Sequence, residues 1–253
     1  MENKIALITG ATSGIGKACA EILAKEGCDV IITGRREDRL LELHHKITSV
    51  FKRKCLPLVF DIRQQDAIKN AITGLGSYWK NVDILINNAG LASGLSKLHE
   101  GDTDDWERMI DTNIKGLLYI TREIVPGMVQ RGHGDVVNIG SIAGREVYPN
   151  GNVYCGTKHA VDAITKGLRM DLINTPIRVS TVDPGMVETE FSIIRFHGDE
   201  DKAKNVYKGM QPLFAEDIAD AVLFIVTRPQ HVQIGEILIL PTAQRAATMV
   251  SRK

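Results

Sequence analysis

Tyr154 and Lys158 stand four residues apart, thirteen residues after Ser141. On a helix the i and i+4 positions share a face, so a phenol and an ammonium would look into the same space. That pairing suits proton transfer to or from a carbonyl oxygen. Hydride delivery to a carbonyl requires a proton for the developing alkoxide, and a phenol can give it if its pKa falls from about 10 toward the working pH. A nearby ammonium favours the phenolate. Lowering the pKa by about 3 units needs roughly 4 kcal/mol, at about 1.36 kcal/mol per unit, which a close desolvated cation supplies. Ser141 is placed to hold the carbonyl oxygen by a hydrogen bond beside the phenol. A Tyr-x-x-x-Lys pair is common on helix surfaces, so its meaning depends on what accompanies it.

A second constellation lies near the N-terminus. Thr9-Gly10-Ala11-Thr12-Ser13-Gly14-Ile15-Gly16 follows a short apolar run and opens into a helical pattern. Its spacing is G-x-x-x-G-x-G rather than the G-x-G-x-x-G dinucleotide fingerprint. Gly10 permits a tight turn, Gly14 and Gly16 let backbone approach a pyrophosphate, and the helix N-terminus offers free N–H groups and a positive dipole end. The next strand pattern ends Ile32-Thr33-Gly34-Arg35-Arg36. A fold that prefers NAD places a carboxylate there for the ribose 2′-hydroxyl. Two guanidiniums instead suit a 2′-phosphate, and cations are poorly placed at a helix N-terminus without such a reason. The cofactor is therefore expected to be NADP(H), whose positively charged oxidised ring would also favour a phenolate. Asp61 is placed either to accept from the adenine amino group or to N-cap the helix that follows. Asn87-Asn88-Ala89-Gly90 brings backbone near a ligand, or forms a turn held by Asn side chains.

These residues need a scaffold that collects strand ends. Seven brief, nearly continuous apolar runs, at 4–9, 29–33, 55–60, 84–87, 135–139, 177–182 and 237–240, read as strands covered on both faces. Helical patterns lie between them at about 14–26, 36–51, 64–72, 103–130, 152–174 and 215–227. Alternating strand and helix gives an α/β fold, a doubly wound parallel sheet of about seven strands of the Rossmann type, with functional residues following strand ends. At 253 residues the chain reads as a single domain, 1–253. The segment 185–212 has weak periodicity and is expected to be a substrate lid.

The same residues carry a resemblance: the chain resembles the short-chain dehydrogenase/reductases over nearly its whole length. The match runs through 9–16, Asn87–Gly90, Ser141, Tyr154-x-x-x-Lys158, Pro184-Gly185 and Asn113 within Asp111-Thr112-Asn113. The resemblance implies a proton relay of Asn113, Ser141, Tyr154 and Lys158, with Asn113 locally distorting its helix. It further implies cofactor contacts from Gly10, Thr12, Ser13, Gly14, Ile15, Gly16, Arg35, Arg36, Asp61, Ile62, Asn88, Ala89, Gly90, Tyr154, Lys158, Pro184, Gly185, Val187 and Thr189. Within that family the stretches 88–92, 105–106, 109–113, 151–154, 190–192, 195–196 and 240–244 look like those of NADP-dependent 3-hydroxy acid dehydrogenases. That likeness implies a serine, allo-threonine or malonic semialdehyde type of substrate and a homotetramer.

A carboxylate substrate needs a fixed cation. Arg195 is the candidate, with Ser141 and Tyr154 on the reacting oxygen; Arg145 and Lys208 are weaker choices. Alternatively Arg195 pairs with Glu188 or Glu190. Two other readings stand beside this one: a reductase of the same fold for a thioester, sugar or diketone, and a non-catalytic NADP(H) sensor. Thirty-one basic residues balance thirty-one acidic ones, which speaks against nucleic acid and anionic membrane as partners. The four cysteines lack C-x-x-C spacing and none of the seven histidines has metal-ligand spacing, so free thiols, no metal and a cytoplasmic enzyme are expected.

Overall fold

The seven apolar runs form seven parallel strands: β1 (Ile5–Ile8), β2 (Asp29–Gly34), β3 (Cys55–Val59), β4 (Ile84–Asn87), β5 (Asp135–Ile139), β6 (Arg178–Pro184) and β7 (Glu236–Ile239). The computed structural model describes residues 1–253. Strand order is β3-β2-β1-β4-β5-β6-β7, and every neighbouring pair is parallel. The order reverses between β1 and β4, which opens a crevice at their carboxyl ends. Pro57 lacks an N–H and sits in β3, an edge strand where that loss is tolerated.

Helices α1 (Gly14–Lys25), α2 (Glu37–Val50) and α9 (Ala215–Val226) cover one face. Helices α3 (Gln65–Thr73), α5 (Leu117–Arg131) and α6 (Asn152–Asp171) cover the other. Alternate strand residues supply both cores: Ile8, Ile32, Ile86 and Val137 pack on the first face, and Leu7, Ile31, Leu85 and Val136 on the second. This two-sided burial is the reason the strands read as continuous apolar runs. One buried ion pair crosses the floor of the sheet, where Arg178 Nε lies 2.5 Å and Nη2 3.0 Å from the Asp135 carboxylate oxygens.

Two regions depart from the periodicity. The pattern at 103–130 predicts one helix, but the chain forms α4 (Thr103–Ile110), a π-helical stretch at Asp111–Gly116, and then α5. Wide turns of this kind turn a side chain off the regular helical register, and the stretch contains Asn113. The weakly periodic segment 185–212 holds two short helices, α7 (Phe191–Arg195) and α8 (Glu200–Asn205), each too brief to leave a 3.6-residue signature.

Candidate active site

The turn after β1 shows why its glycines are there. Gly10 and Gly14 adopt φ of +67° and +53°, the left-handed region that penalises a Cβ. A methyl group on Gly16 would lie 2.4 Å from Asn88 Nδ2 and 2.5 Å from the Gly10 carbonyl. Asn88 closes the crevice floor: its Nδ2 donates to the carbonyls of Thr9 and Gly10 at 2.9 and 3.2 Å. Thr9 Oγ1 accepts from the backbone N–H groups of Asn88 and Ala89, both at 3.0 Å. The ends of β1 and β4 are thus stitched together beneath the position where a phosphate would meet the N-terminus of α1.

From this turn a cleft of about 650 Å³ runs along the strand ends. Gly10, Thr12, Ser13, Gly14, Ile15, Arg35, Arg36, Asp61, Ile62, Asn88, Ala89 and Gly90 line its first part. Ser141, Tyr154 and Lys158 line the second, and Pro184, Gly185, Val187, Thr189 and Arg195 lie across it. Gly16 and Asn113 do not line the cleft; both are buried behind it.

The two adjacent arginines prove unlike each other. Arg36 donates from Nε and Nη2 to Thr12 Oγ1 at 3.1 and 2.7 Å, from Nη2 to Ser13 Oγ at 2.8 Å, and from Nη1 to Glu190 Oε2 at 2.8 Å. Arg35 leaves 59% of its side chain exposed, and Asp61 Oδ2 lies 3.7 Å from it. A 2′-phosphate would therefore meet Arg35 as the cation with hydrogen-bonding capacity to spare. Asp61 does not cap α3, whose N-cap residue is Gln64. Its carboxylate accepts from Arg63 at 2.6 to 3.0 Å, and although burial raises its pKa, those bonds hold it below the usual carboxylate value.

At the other end Tyr154 and Lys158 occupy successive turns of α6, both buried. Lys158 Nζ donates to the Ile139 carbonyl at 2.9 Å. Asn113 Oδ1 accepts from Leu91 N at 2.9 Å, and its Nδ2 donates to Leu91 O at 2.8 Å and Thr157 Oγ1 at 3.0 Å. The π-helical turn thus aims Asn113 so that it ties the chain after β4 to the helix that bears Tyr154. Gly90 fits between them: a methyl there would lie 3.3 Å from Asn113 Oδ1 and 3.6 Å from Lys158 Nζ. Ser141 Oγ accepts from Ala143 N at 3.1 Å, which leaves its hydroxyl hydrogen to donate.

Burial dominates the electrostatics here. It pushes Lys158 down to about 8, against the opposing charge of Asp183. It pushes the Tyr154 phenol well above 10; Tyr148 adds to the rise, while the Ser141 hydroxyl and the Arg195 guanidinium oppose it. The protein alone therefore keeps Tyr154 protonated and fit to give a proton, and phenolate formation requires more positive charge beside it.

Arg195 does not pair with Glu188 or Glu190. Its Nη2 donates to Tyr148 Oη at 2.9 Å, its guanidinium carbon lies 5.4 and 5.6 Å from the ring centres of Tyr148 and Tyr154, and its Nε is buried without a partner. Arg145 is consumed by Asp183 at 2.6 Å and Glu236 at 2.7 Å, and neither it nor Lys208 lines the cleft. Sequence reasoning missed Tyr148, Phe191 and Gln244. Phe191 packs edge-on against Tyr154 with ring centres 5.6 Å apart. Gln244 Oε1 accepts from Met186 N at 2.9 Å and would meet a methyl on Gly185 at 2.2 Å, which pins the turn after β6. No group of three or more His, Cys, Asp or Glu is arranged to hold a metal ion.

The short chain dehydrogenase family profile matches residues 4–198. A probable NADP-dependent dehydrogenase of Haemophilus influenzae is 49% identical over 250 residues, covering 98% of each chain. An NADP-dependent 3-hydroxy acid dehydrogenase of Schizosaccharomyces pombe is 44% identical over 254 residues, covering 100% of this chain and 98% of that one. Among solved structures, the closed form of a serine dehydrogenase complexed with NADP+ superposes with a TM-score of 0.92 at 42% identity. It covers 98% of this chain and 99% of its own.

Proposed function

The chain belongs to the short chain dehydrogenase family, and on that premise we propose that it moves a hydride between NADP(H) and a small 3-hydroxy or 3-oxo acid, with Tyr154 as general acid and base. The observation that carries this reading is one continuous cleft that starts at a glycine turn with an under-used arginine and ends at buried Tyr154 and Lys158 beside a half-buried Arg195. The related proteins named for NADP and for 3-hydroxy acid or serine dehydrogenation support it.

In this reading Gly10, Gly14 and Ile15 present backbone to the pyrophosphate, and Gly16 lets the turn close behind them. Arg35 meets the 2′-phosphate, Asp61 and Ile62 flank the adenine, and Asn88, Ala89 and Gly90 form the cleft floor. When bound, the cofactor supplies the hydride donor or acceptor. Lys158 has spent one N–H on Ile139 and turns its remaining N–H groups and its charge toward the cofactor ribose and Tyr154. In oxidation the Tyr154 phenolate takes the hydroxyl proton as the substrate carbon gives up its hydride; in reduction the phenol returns that proton to the carbonyl oxygen. Ser141 donates to the same oxygen, and Asn113 positions the surrounding backbone. Arg195, which lines the cleft, receives the carboxylate on its guanidinium. The segment 185–212 acts as the lid, with Pro184, Gly185, Val187 and Thr189 over the cofactor.

We place the enzyme in the cytoplasm as a homotetramer, without nucleic-acid or membrane partners. Exposed Leu118 and Val129 on α5, Met170 on α6 and Leu238 on the edge strand β7 give apolar surface for subunit contacts, and no helix is long and apolar enough to cross a membrane. Initial rates with NADP+ and NAD+ against L-serine, allo-threonine, 3-hydroxypropionate and 3-hydroxyisobutyrate test the proposal. Turnover of at least one acid with NADP+ favoured is expected. Failure on every acid alongside reduction of an uncharged carbonyl would assign the cleft to another substrate class.

A further inference from the structure

Glu190 immediately precedes α7 as its N-cap residue and plays no part in the proton chemistry above. Its carboxylate reaches across the cleft to a different element. Oε2 accepts from Arg36 Nη1 at 2.8 Å, and Oε1 accepts from Arg39 Nη1 on α2. Arg36 is held on its other edge by the hydroxyls of Thr12 and Ser13. A continuous chain of charge-assisted bonds therefore runs from the phosphate turn through Arg36 to the segment that covers it, joining residues 154 positions apart. Burial alone would push the Glu190 carboxyl up, yet the hydrogen bonds from Arg36 and Arg39 hold it at about 2. Beside it, Thr189 closes on Gly14, where an added methyl would meet its side chain at 3.3 Å. Arg35 stands outside this chain.

We propose that Glu190 is a cofactor-retaining residue, whose bridge to Arg36 and Arg39 fastens the 185–212 segment over the bound dinucleotide, while Arg35 does the discrimination between NADP and NAD. The inference rests on the cofactor site proposed above. Two consequences separate retention from discrimination. A strap that grips protein rather than the 2′-phosphate slows the exit of NADPH and NADH by the same factor. A bridge between two partly exposed cations, each with 38–39% of its side chain accessible, is modest in strength and screened by salt.

The test uses the full chain with Glu190→Gln, Arg39→Gln and the double variant. Dissociation of NADPH and of NADH is followed by stopped-flow fluorescence after displacement, and amide hydrogen exchange of residues 186–196 is followed in the cofactor-free protein. Each single variant is expected to release both dinucleotides about two- to fivefold faster. The NADPH-to-NADH ratio stays constant, exchange at 186–196 speeds up, and the double variant goes no further than either single one. At about 1 M salt the difference shrinks. Wild-type release rates with unchanged exchange, or additive effects in the double variant, overturn the proposal. So does tighter NADPH binding by Glu190→Gln, which would mean that the carboxylate competes with the phosphate for Arg36. If the unaltered chain binds neither dinucleotide, the cofactor site falls while the hydrogen-exchange arm still decides whether the bridge holds the segment.

Discussion

Replacing Arg195 by Gln removes the one cation proposed to meet the substrate carboxylate and leaves the backbone tie of the segment intact, since the Arg195 carbonyl still accepts from Gly94 N at 3.0 Å. The guanidinium sits between the rings of Tyr148 and Tyr154 with its Nε buried and unpartnered. A carboxylate bound there gains a charge-assisted hydrogen bond, about 1.5–3 kcal/mol, which corresponds to roughly 10- to 150-fold in affinity. The carboxylate does not change during hydride transfer, so the interaction is the same in ground and transition states, and its loss appears in KM while kcat holds. The assay compares 3-hydroxypropionate with its methyl ester, which keeps size and hydroxyl position but carries no charge. Arg195→Gln should raise KM for the acid by at least tenfold and for the ester by less than about threefold. Equal losses for acid and ester, or a loss confined to kcat, would refute the carboxylate seat.

Arg35→Asp should lower kcat/KM with NADP+ at least tenfold more than with NAD+, because an unneutralised carboxylate replaces a phosphate-binding cation; an unchanged preference measured by initial rates would remove Arg35 from the site. Lys158→Met should abolish turnover while raising the thermal midpoint. Burial carries Lys158 from 10.5 to about 8, a cost of about 3 kcal/mol at roughly 1.36 kcal/mol per pH unit before the lost bond to Ile139 is counted. That cost is present below pH 8 and fades as the pH rises toward 10.5, because in this window the unfolded chain holds a proton that the folded chain has released. The stabilisation of the variant, followed by denaturation against pH, should therefore shrink over that range. Arg178→Met should destabilise the protein by about 3–5 kcal/mol by leaving the Asp135 carboxylate buried without its partner, read as a lower midpoint in urea with little change in the rate of the surviving folded fraction.

The sheet was legible because strands covered on both faces are rich in apolar residues, and the turn after β1 because close approach admits only glycine, as Gly16 against Asn88 shows. Tyr154 and Lys158 were legible because one helix carries both. The π-helical turn at Asp111–Gly116 leaves no mark on hydrophobic periodicity; only the likeness of its Asp-Thr-Asn stretch to related enzymes pointed to a distortion. The helices of five and six residues at Phe191–Arg195 and Glu200–Asn205 are shorter than two turns, so no repeat could reveal them. Side-chain pairings between distant segments were hidden for a different reason. Nothing local distinguishes Arg35 from Arg36, and the difference comes from Glu190 and the hydroxyls of Thr12 and Ser13 brought in by the fold. In the same way Arg145, a weaker carboxylate candidate in the sequence, is occupied by Asp183 and Glu236.

Proton transfer by Tyr154 is the centre of the account, and Tyr154→Phe isolates it, since the ring and its packing on Phe191 remain and only the hydroxyl is lost. The decisive measurement is kcat for NADP+-dependent oxidation of the best hydroxy acid, with NADPH affinity by fluorescence titration on the same preparation. A fall in kcat of about 10²- to 10⁴-fold with NADPH affinity within about threefold of the unaltered protein is the predicted result. Turnover near the original rate would contradict the account and leave the cleft as a binding site for a dinucleotide, without the chemistry assigned to it.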